Sequence, residues 1–300
     1  MKLHRYNQAT DVWRGGTNSG IYHLSDDALM IIDPGLSESR GKRFASYAIE
    51  SHKKITHVVA THEHSDHIGA LVGIAQSFPD VEILMDTNGK HILESPDTFL
   101  AYINGGAPNK TLRGFFRPIE KNIRTLHPLN EGKFTLNTHD FEWLHFGGHS
   151  IGSGGLITPD KVLFLGDTLI PSEILTKFRL PLLYSINGQY EGFIKLEHAT
   201  FDYCVTGHGR KVITKADCLS LAEENKIVLD ECIGLVLERL KTPHTKEQLM
   251  AFLVDKLSLT LNYKEYLFGM SSVGSILSYL IDEDQVEVQM AENLLMYGLK

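Results

Sequence analysis

The chain has 300 residues, of which 42% are hydrophobic, and a formal net charge of −8. This length and hydrophobic content suffice for one large domain with a buried core and a smaller additional segment. The negative charge argues against a general nucleic-acid-binding surface, because phosphate binding requires clustered lysine and arginine.

Cysteine usage and apolar patterning predict a cytoplasmic protein. Cys204, Cys218 and Cys232 lie far apart and form no Cys-x-x-Cys pair, so we expect buried reduced thiols. No apolar signal region follows Met1, and no apolar run is long enough to span a bilayer. We therefore expect no membrane partner.

Short β-branched runs alternate with helical patterns along the first two thirds of the chain, which is typical of a layered α/β (α+β) protein. The predicted elements are a hairpin of 21–25 and 28–33, a helix at 39–52, strands at 55–60 and 81–85 with a helix at 67–77 between them, strands near Ile123, Phe134 and Phe141, and a hairpin of 155–158 and 162–165. Segment 95–117 interrupts this alternation with several glycines and aromatic residues. We interpret it as an insertion with irregular or helical pieces.

After position 208 the pattern becomes mainly helical. We predict helices at 215–240, 245–257, 263–269 and 271–281, followed by short strands at 285–288 and 293–296. The domain boundary is expected at 240, which gives a large first domain at 1–240 and a C-terminal module at 241–300.

Metal-ligand residues are concentrated directly after the strand at 55–60. The run Thr61-His62-Glu63-His64-Ser65-Asp66-His67 contains three histidines and an aspartate within six positions. Alternate side chains at a strand end point the same way, so His62, His64 and Asp66 can converge while His67 approaches from the start of the next helix. Four such residues at this density have no evident packing use, and they indicate a metal site.

Three later segments each add one residue of the same kind just beyond an apolar strand. His149 follows Gly147-Gly148, Asp167 follows Gly166, and His208 lies between Gly207 and Gly209. Glycine suits a sharp turn and a close approach to a bulky ion. No Gly-x-Ser-x-Gly motif and no cysteine near the cluster offers a side-chain nucleophile.

These motifs resemble those of the metallo-β-lactamase superfamily over about the first 210 residues, in the family's order. The early strand that ends in Asp33-Pro34-Gly35 corresponds to the first motif, and the cluster, His149, Asp167 and His208 correspond to the other four. The resemblance implies a four-layer αββα sandwich with a metal site at the strand ends. Three helices followed by a hairpin at 241–300 further resemble a winged-helix module, which some hydrolases of this superfamily carry.

The resemblance also implies a ligand set for two divalent metal ions. One ion would be held by His62, His64 and His149, and the other by Asp66, His67 and His208, with Asp167 bridging them. Asp66 and Asp167 would thereby be catalytic, since the two ions activate water and stabilise the oxyanion. His64 resembles the hydrolases, whereas a glutamate there would resemble di-iron flavoproteins, so we expect zinc ahead of iron or manganese.

Four further residues have two interpretations each. Asp33 either orients a ligand histidine through its second ring nitrogen or is simply a turn aspartate. Lys177 and Arg179 either contact a substrate carboxylate or phosphate or are solvated loop charges. Tyr184 either donates a proton to the leaving group or oxyanion, as in some lactonases of the superfamily, or packs under its loop.

Four functions are open. The first is a dinuclear hydrolase in which metal-bound hydroxide attacks a small ester, thioester or lactone, in the manner of hydroxyacylglutathione hydrolase. The second is a phosphodiesterase or endoribonuclease, the third a mononuclear iron persulfide dioxygenase, and the fourth a non-catalytic ligand sensor. Residues 210–300 contain ten Lys or Arg against fourteen Asp or Glu, and 271–281 contains no basic residue. This balance disfavours nucleic acid, so we expect a small-molecule substrate and a C-terminal module that covers it, forms a homodimer surface, or does both.

Overall fold

The computed structural model describes residues 3–115, 126–209 and 211–300. Within them, a first mixed sheet has seven strands in chain order. These are β1 Leu3–Arg5, β2 Thr10–Trp13, β3 Ser19–His23, β4 Ala28–Ile32, β5 Lys54–Val59, β6 Glu82–Asp86 and β7 Leu126–Leu129. Strands β1 to β4 pair antiparallel, and β4 to β7 pair parallel.

A second mixed sheet of six strands has the order β13-β12-β11-β10-β9-β8. Its strands are β8 Gly132–Leu136, β9 His139–His145, β10 Gly154–Ile157, β11 Val162–Gly166, β12 Tyr203–Thr206 and β13 Ile213–Thr214. Only the β11–β12 pair is parallel among the described residues of this sheet. A separate antiparallel hairpin consists of β14 Val286–Ala291 and β15 Leu294–Leu299.

Eleven helices are described. They are α1 Glu38–Glu50, α2 Ser65–Ile68, α3 Leu71–Ala75, α4 Thr87–Glu94, α5 Pro96–Asn104, α6 Lys110–Phe115, α7 Ser172–Leu175, α8 Ile186–His198, α9 Lys215–Arg239, α10 Lys246–Lys256 and α11 Tyr263–Asp282. In the described part of the chain, no helix is both long enough and apolar enough to cross a membrane.

The alternation of side chains along the strands produces the layers. In β4, Met30 and Ile32 pack between the two sheets against residues such as Phe164, whereas Leu29 and Ile31 pack on the outer face with α1 and α3. Helices α8 to α11 cover the outer face of the second sheet through a single cluster of buried side chains. The predicted four-layer αββα architecture is confirmed.

The predicted helix at 67–77 is wrong in one respect, because the structure divides it into α2 and α3. The N–H of Ala70 donates to the carbonyl of Gly35 at 2.6 Å, and the hydroxyl of Thr17 donates to the carbonyl of Asp66 at 2.6 Å. Both groups would otherwise pair with each other inside a continuous helix. The break therefore ties the metal-ligand segment to two neighbouring loops.

The C-terminal module also differs from the prediction. Residues 263–269 and 271–281 form the single helix α11, so 241–300 contains two helices and a hairpin. The helix continues through Gly269. A glycine at this position allows α11 to pack closely on α10, because a Cβ here would lie 2.3 Å from Cε of Met250. The module shares its hydrophobic cluster with the second sheet, and the boundary at 240 stays a prediction.

The other predicted elements are confirmed to within a few residues, and the strand near Ile123 lies outside the described residues. The insertion at 95–117 contains α5 and α6, while helices α4, α7 and α8 and strands β1, β2 and β13 are not among the predicted elements. All three cysteines are buried and form no disulfide.

Candidate metal centre

The ligand-type side chains lie where strands of both sheets end. Strand β4 ends before Asp33, and β5 ends before the cluster 62–67. His149 lies between β9 and β10, Asp167 follows β11, and His208 follows β12. The first sheet thus supplies the motif cluster and the second sheet supplies the three remaining residues, so the centre straddles the two sheets.

His62, His64 and His149 form the first group, and all three are buried. Nε2 of His149 lies 3.0 Å from Nδ1 of His64. The ring of His62 has centroid distances of 4.6 Å to His64 and 5.0 Å to His149. One ligand atom of each residue lies within 4.8 Å of the others, which is close enough for one cation to contact all three.

Asp66, His67, Asp167 and His208 form the second group. Nε2 of His208 lies 3.2 Å from Oδ2 of Asp66 and 3.3 Å from Oδ2 of Asp167. Nε2 of His67 lies 3.5 Å from Oδ1 of Asp167. Asp167 also approaches the first group, since its Oδ2 lies 3.9 Å from Nε2 of His149. It therefore occupies the place between the two groups that a bridging carboxylate would take.

Asp33 contacts the cluster through both carboxylate oxygens. Oδ2 lies 2.8 Å from Nδ1 of His67 and accepts from the Thr61 hydroxyl at 2.7 Å, while Oδ1 accepts from the Thr61 N–H at 2.8 Å. The Thr61 hydroxyl lies 3.1 Å from Nδ1 of His62. These contacts favour the orienting interpretation of Asp33, because they direct Nε2 of both histidines towards the centre.

The loop that carries His208 is held by a neighbour that the sequence did not single out. The Asn18 side chain donates to the carbonyls of Thr206 at 3.0 Å and Gly209 at 3.1 Å. Gly207 has no room for a side chain, since a Cβ there would lie 2.2 Å from Oδ1 of Asp167. This glycine is therefore required by the close approach of the backbone to the carboxylate.

The two groups differ in their electrostatics. Burial lowers the pKa of His62, His64 and His149, that of His64 to about 3, so these rings are neutral. Burial would also lower the pKa of His67, but the carboxylates of Asp167 and Asp33 raise it well above its ordinary value. A cation bound by the second group would replace protons on its histidines.

The same balance applies to the other members of the second group. Burial would lower the pKa of His208, but hydrogen bonds with Asp167 and Asp66 raise it to about 10. Burial would raise the pKa of both aspartates, whereas their histidine partners hold it well below the ordinary value. The second group is thus a set of ion pairs in which His67 is fully buried and the Asp66 side chain stays 41% exposed.

Glu63 is a buried acid inside the motif that the sequence analysis left without a role. Burial raises the pKa of its carboxyl group to about 7, and its Oε2 accepts from the Ser150 hydroxyl at 3.1 Å. It lines the cavity beside the first group. Its position between His62 and His64 is the feature of the sequence that could have indicated a place at the site.

A cavity of about 360 Å³ opens beside the first group. Its lining is mainly apolar and aromatic. It comes from the motif cluster, α4, the insertion, the loop between β9 and β10 and the loop before α8: Glu63, Asn88, His91, Ile92, Thr98, Phe99, Tyr102, His149, Ser150, Ile151, Leu182 and Tyr184. A cleft of about 640 Å³, which is more open and less apolar, adjoins it and shares Tyr102 and Tyr184, whose rings lie 6.2 Å apart.

The three predicted substrate residues lie in different surroundings. Tyr184 is 39% exposed and lines both cavities. Arg179 forms an ion pair with Glu231 of α9, and Lys177 is exposed. Neither of these two basic residues is among the described lining of the cavities, and their contact with substrate stays a prediction.

Comparison with known proteins identifies the family. The model of the metallo-β-lactamase superfamily matches residues 12–208. The probable metallo-hydrolase YqgX of Bacillus subtilis (strain 168) is 30% identical over 220 residues, which cover 68% of this chain and 94% of that protein. Hydroxyacylglutathione hydrolase 2 of Vibrio vulnificus is 26% identical over 148 residues, which cover 48% of this chain and 44% of that enzyme.

Solved structures show the same fold over nearly the whole chain. A β-lactamase domain protein from Burkholderia ambifaria matches with a TM-score of 0.77 at 15% identity, covering 99% of this chain and 93% of that one. A metallo-β-lactamase family protein from Thermus thermophilus matches with a TM-score of 0.69 at 17% identity, covering 97% and 94%. The C-terminal segment therefore belongs to an architecture found elsewhere, and the chain belongs to the metallo-β-lactamase superfamily.

Proposed function

We propose that the protein is a dinuclear metal-dependent hydrolase of small esters, thioesters or lactones. The observation that carries the proposal is the pair of adjacent ligand groups beside a largely apolar cavity, with Oδ2 of Asp167 in the second group 3.9 Å from Nε2 of His149 in the first. Two groups joined by one carboxylate can hold two cations close together, as hydrolytic dinuclear sites do.

The polar atoms of the centre support the presence of metal. Nε2 of His62 is buried without a hydrogen-bond partner, while the buried Nε2 of His67 and Oδ1 of Asp167 face each other at 3.5 Å. Each unpaired buried polar group costs about 1 to 3 kcal/mol, and a bound cation would remove that cost. Imidazole and carboxylate donors without thiolate suit zinc, which we propose as the native metal, with iron or manganese as alternatives.

His62, His64 and His149 would hold one ion, and Asp66, His67 and His208 the other, with Asp167 between them. When bound, the ions would supply a water of lowered pKa and neutralise the charge that develops on the substrate carbonyl oxygen. Asp33 keeps the ring of His67 turned so that Nε2 faces the centre. Tyr184, at the mouth of the cavity, is our candidate donor of a proton to the leaving group.

The cavities support a substrate with an apolar acyl group and a polar remainder. Phe99, Ile92, Ile151 and Leu182 give the cavity beside the centre its apolar lining, while serines, asparagines and tyrosines line the adjoining cleft. Among the described residues that line the two spaces, Lys246 is the one lysine or arginine. This lining offers little to a polyanionic RNA backbone, which favours a small molecule over the ribonuclease alternative.

The test is to determine metal identity and content on the purified chain together with a substrate panel. We expect about two zinc ions per chain and turnover of thioesters, esters or lactones. About one iron per chain with oxidation of a persulfide would replace the proposal by the dioxygenase alternative, and cleavage of RNA by the nuclease alternative. Two metals with no turnover of any class would favour the sensor. The homodimer and the cytoplasmic location stay predictions.

A further inference from the structure

Segment 181–184 lies between the C-terminal helix α11 and the metal-ligand histidine His149. On one side, Nδ1 of His149 lies 3.1 Å from the carbonyl oxygen of Leu182, to which it can donate. On the other side, hydroxyls of α11 contact the same segment. The C-terminal module is therefore only one short segment away from the candidate metal centre.

Ser272 of α11 makes the central contact. Its side chain is fully buried, and its Oγ accepts from the N–H of Leu183 at 3.0 Å. The hydroxyl donates to the carbonyl of Pro181 at 2.7 Å, with the carbonyl of Phe268 in its own helix at 3.1 Å as the alternative acceptor. One hydroxyl thus holds the peptide groups on both sides of Leu182.

The peptide group between Leu182 and Leu183 links the serine to the histidine. Its N–H donates to Ser272 and its C=O accepts from His149, and both ends belong to the same planar unit. Fixing the N–H end therefore fixes the direction of the C=O end. A hydrogen bond at the N–H also polarises the carbonyl and makes it a better acceptor. With the proton of His149 held at Nδ1, Nε2 is free for a metal ion.

Ser275, one turn further along α11, reinforces this arrangement. Its hydroxyl lies 2.8 Å from the carbonyl of Leu183 and 2.9 Å from that of Tyr184. The N–H of Tyr184 donates to the carbonyl of Gly148, the residue before the ligand histidine, at 2.8 Å. Two serines of one helix thus hold the segment along its whole length.

We propose that Ser272, assisted by Ser275, is a positioning residue that sets the ring orientation and tautomer of His149. The C-terminal module then contributes to the metal affinity of the centre from outside the catalytic domain. This inference rests on the proposed metal centre, because it takes His149 as a ligand.

The test compares two neighbouring buried positions of α11. Ser272→Ala removes the hydroxyl, whereas Val273→Ala removes buried apolar contacts but no hydrogen bond to segment 181–184; both residues are fully buried. The affinity of each metal-free protein for Zn²⁺ is measured by competition with a chromophoric chelator, and thermal unfolding is measured beside it. We expect Ser272→Ala to weaken binding of one of the two ions by about 10- to 100-fold, and Val273→Ala to lower the unfolding temperature with little change in affinity.

Equal losses of affinity in the two variants, in step with their losses of stability, would overturn the inference, as would unchanged affinity in Ser272→Ala. If Ser272→Ala does not fold, the test is made with Ser275→Ala, since Ser275 is less buried. We expect a smaller loss of metal affinity in this variant, and an unchanged affinity would contradict the inference. A wild-type protein that binds no metal would overturn the proposed function itself. If the wild type and the serine variants bind two ions equally well, the inference is refuted and the proposed function is not.

Discussion

The two sides of the candidate site are built in different ways. The ligand side comes from strand ends of the two sheets, where the sandwich core fixes the buried His62 and His67 and the nearly buried Asp167. The cavity side comes mainly from α4, the insertion and the segment 181–184, and α11 holds that segment in place. The ligand side therefore depends on the common fold, whereas the cavity side depends on added elements, and reaction chemistry and substrate choice should respond separately to mutation.

The largest effect should follow removal of the shared carboxylate. Asp167→Ala should lower kcat/KM by about 10³-fold or more, because loss of the bridge removes several kcal/mol of charge stabilisation. Asp66→Ala should also lower activity, because it should remove the ion of the second group. Metal content and steady-state kinetics measure both effects, with the exposed Asp202→Ala as control. Full turnover by Asp167→Ala would contradict the dinuclear proposal.

Tyr184→Phe tests whether the cavity side takes part in the chemistry. If its hydroxyl donates a proton, kcat should fall by about 10²-fold, with a smaller loss for substrates whose leaving group needs no proton. The measurement is kcat for matched substrates with good and poor leaving groups. An unchanged kcat for both would leave Tyr184 only its place in the cavity wall.

Asp33→Asn should weaken metal binding by about 10- to 100-fold, because the neutral amide no longer holds the Nδ1 proton of His67. Asparagine is the suitable replacement, since Asp33 has φ of 47° and asparagine tolerates this left-handed conformation. Chelator competition measures the affinity. A decrease in folding stability with unchanged affinity would limit Asp33 to its turn.

Phe99→Ala should separate recognition from chemistry. The ring lines the cavity and lies 5.2 Å from the ring of His64, so its removal should raise KM for apolar acyl substrates by about tenfold. The metal content should not change. Phe44→Ala, in the buried layer under α1, is the control for general destabilisation. An equal rise of KM in Phe99→Ala and Phe44→Ala would indicate general destabilisation and would contradict the separation of substrate recognition from chemistry.

The smallest effect should come from the buried Asp11, which lies outside both sides. Burial would raise the pKa of Asp11, but its hydrogen bonds with His23 and Arg5 lower it below the ordinary value of 3.8. The stability contributed by this ionised form is present above about pH 4 and is lost as the pH falls through the lowered pKa. Asp11→Asn should remove about 1 to 2 kcal/mol of folding stability near pH 7 and less as the pH falls below the ordinary value of 3.8, as measured by chemical denaturation, without altering metal affinity.

The division between the ligand side and the cavity side also explains which features the sequence could predict. The cluster 62–67 was recognisable because its residues are neighbours in the chain, and alternation in strands such as β4 followed from hydrophobic pattern alone. The contact of Ser272 with Leu183 joins residues 89 positions apart, and nothing near either residue indicates the other. A helix end is predicted at Gly269, whereas the residue lies inside α11. Its packing against Met250 depends on tertiary structure and gives no signal in the neighbouring sequence.

The position of the ligand groups across the two sheets has a consequence for folding. A metal ion bound to His62 and His149 would cross-link chain segments 87 residues apart, one from each sheet. Such a cross-link favours the folded state in proportion to the logarithm of the free metal concentration, by about 2.7 kcal/mol at a hundredfold excess over Kd. The supply of metal in the cell would then govern the lifetime of the folded protein as well as its turnover.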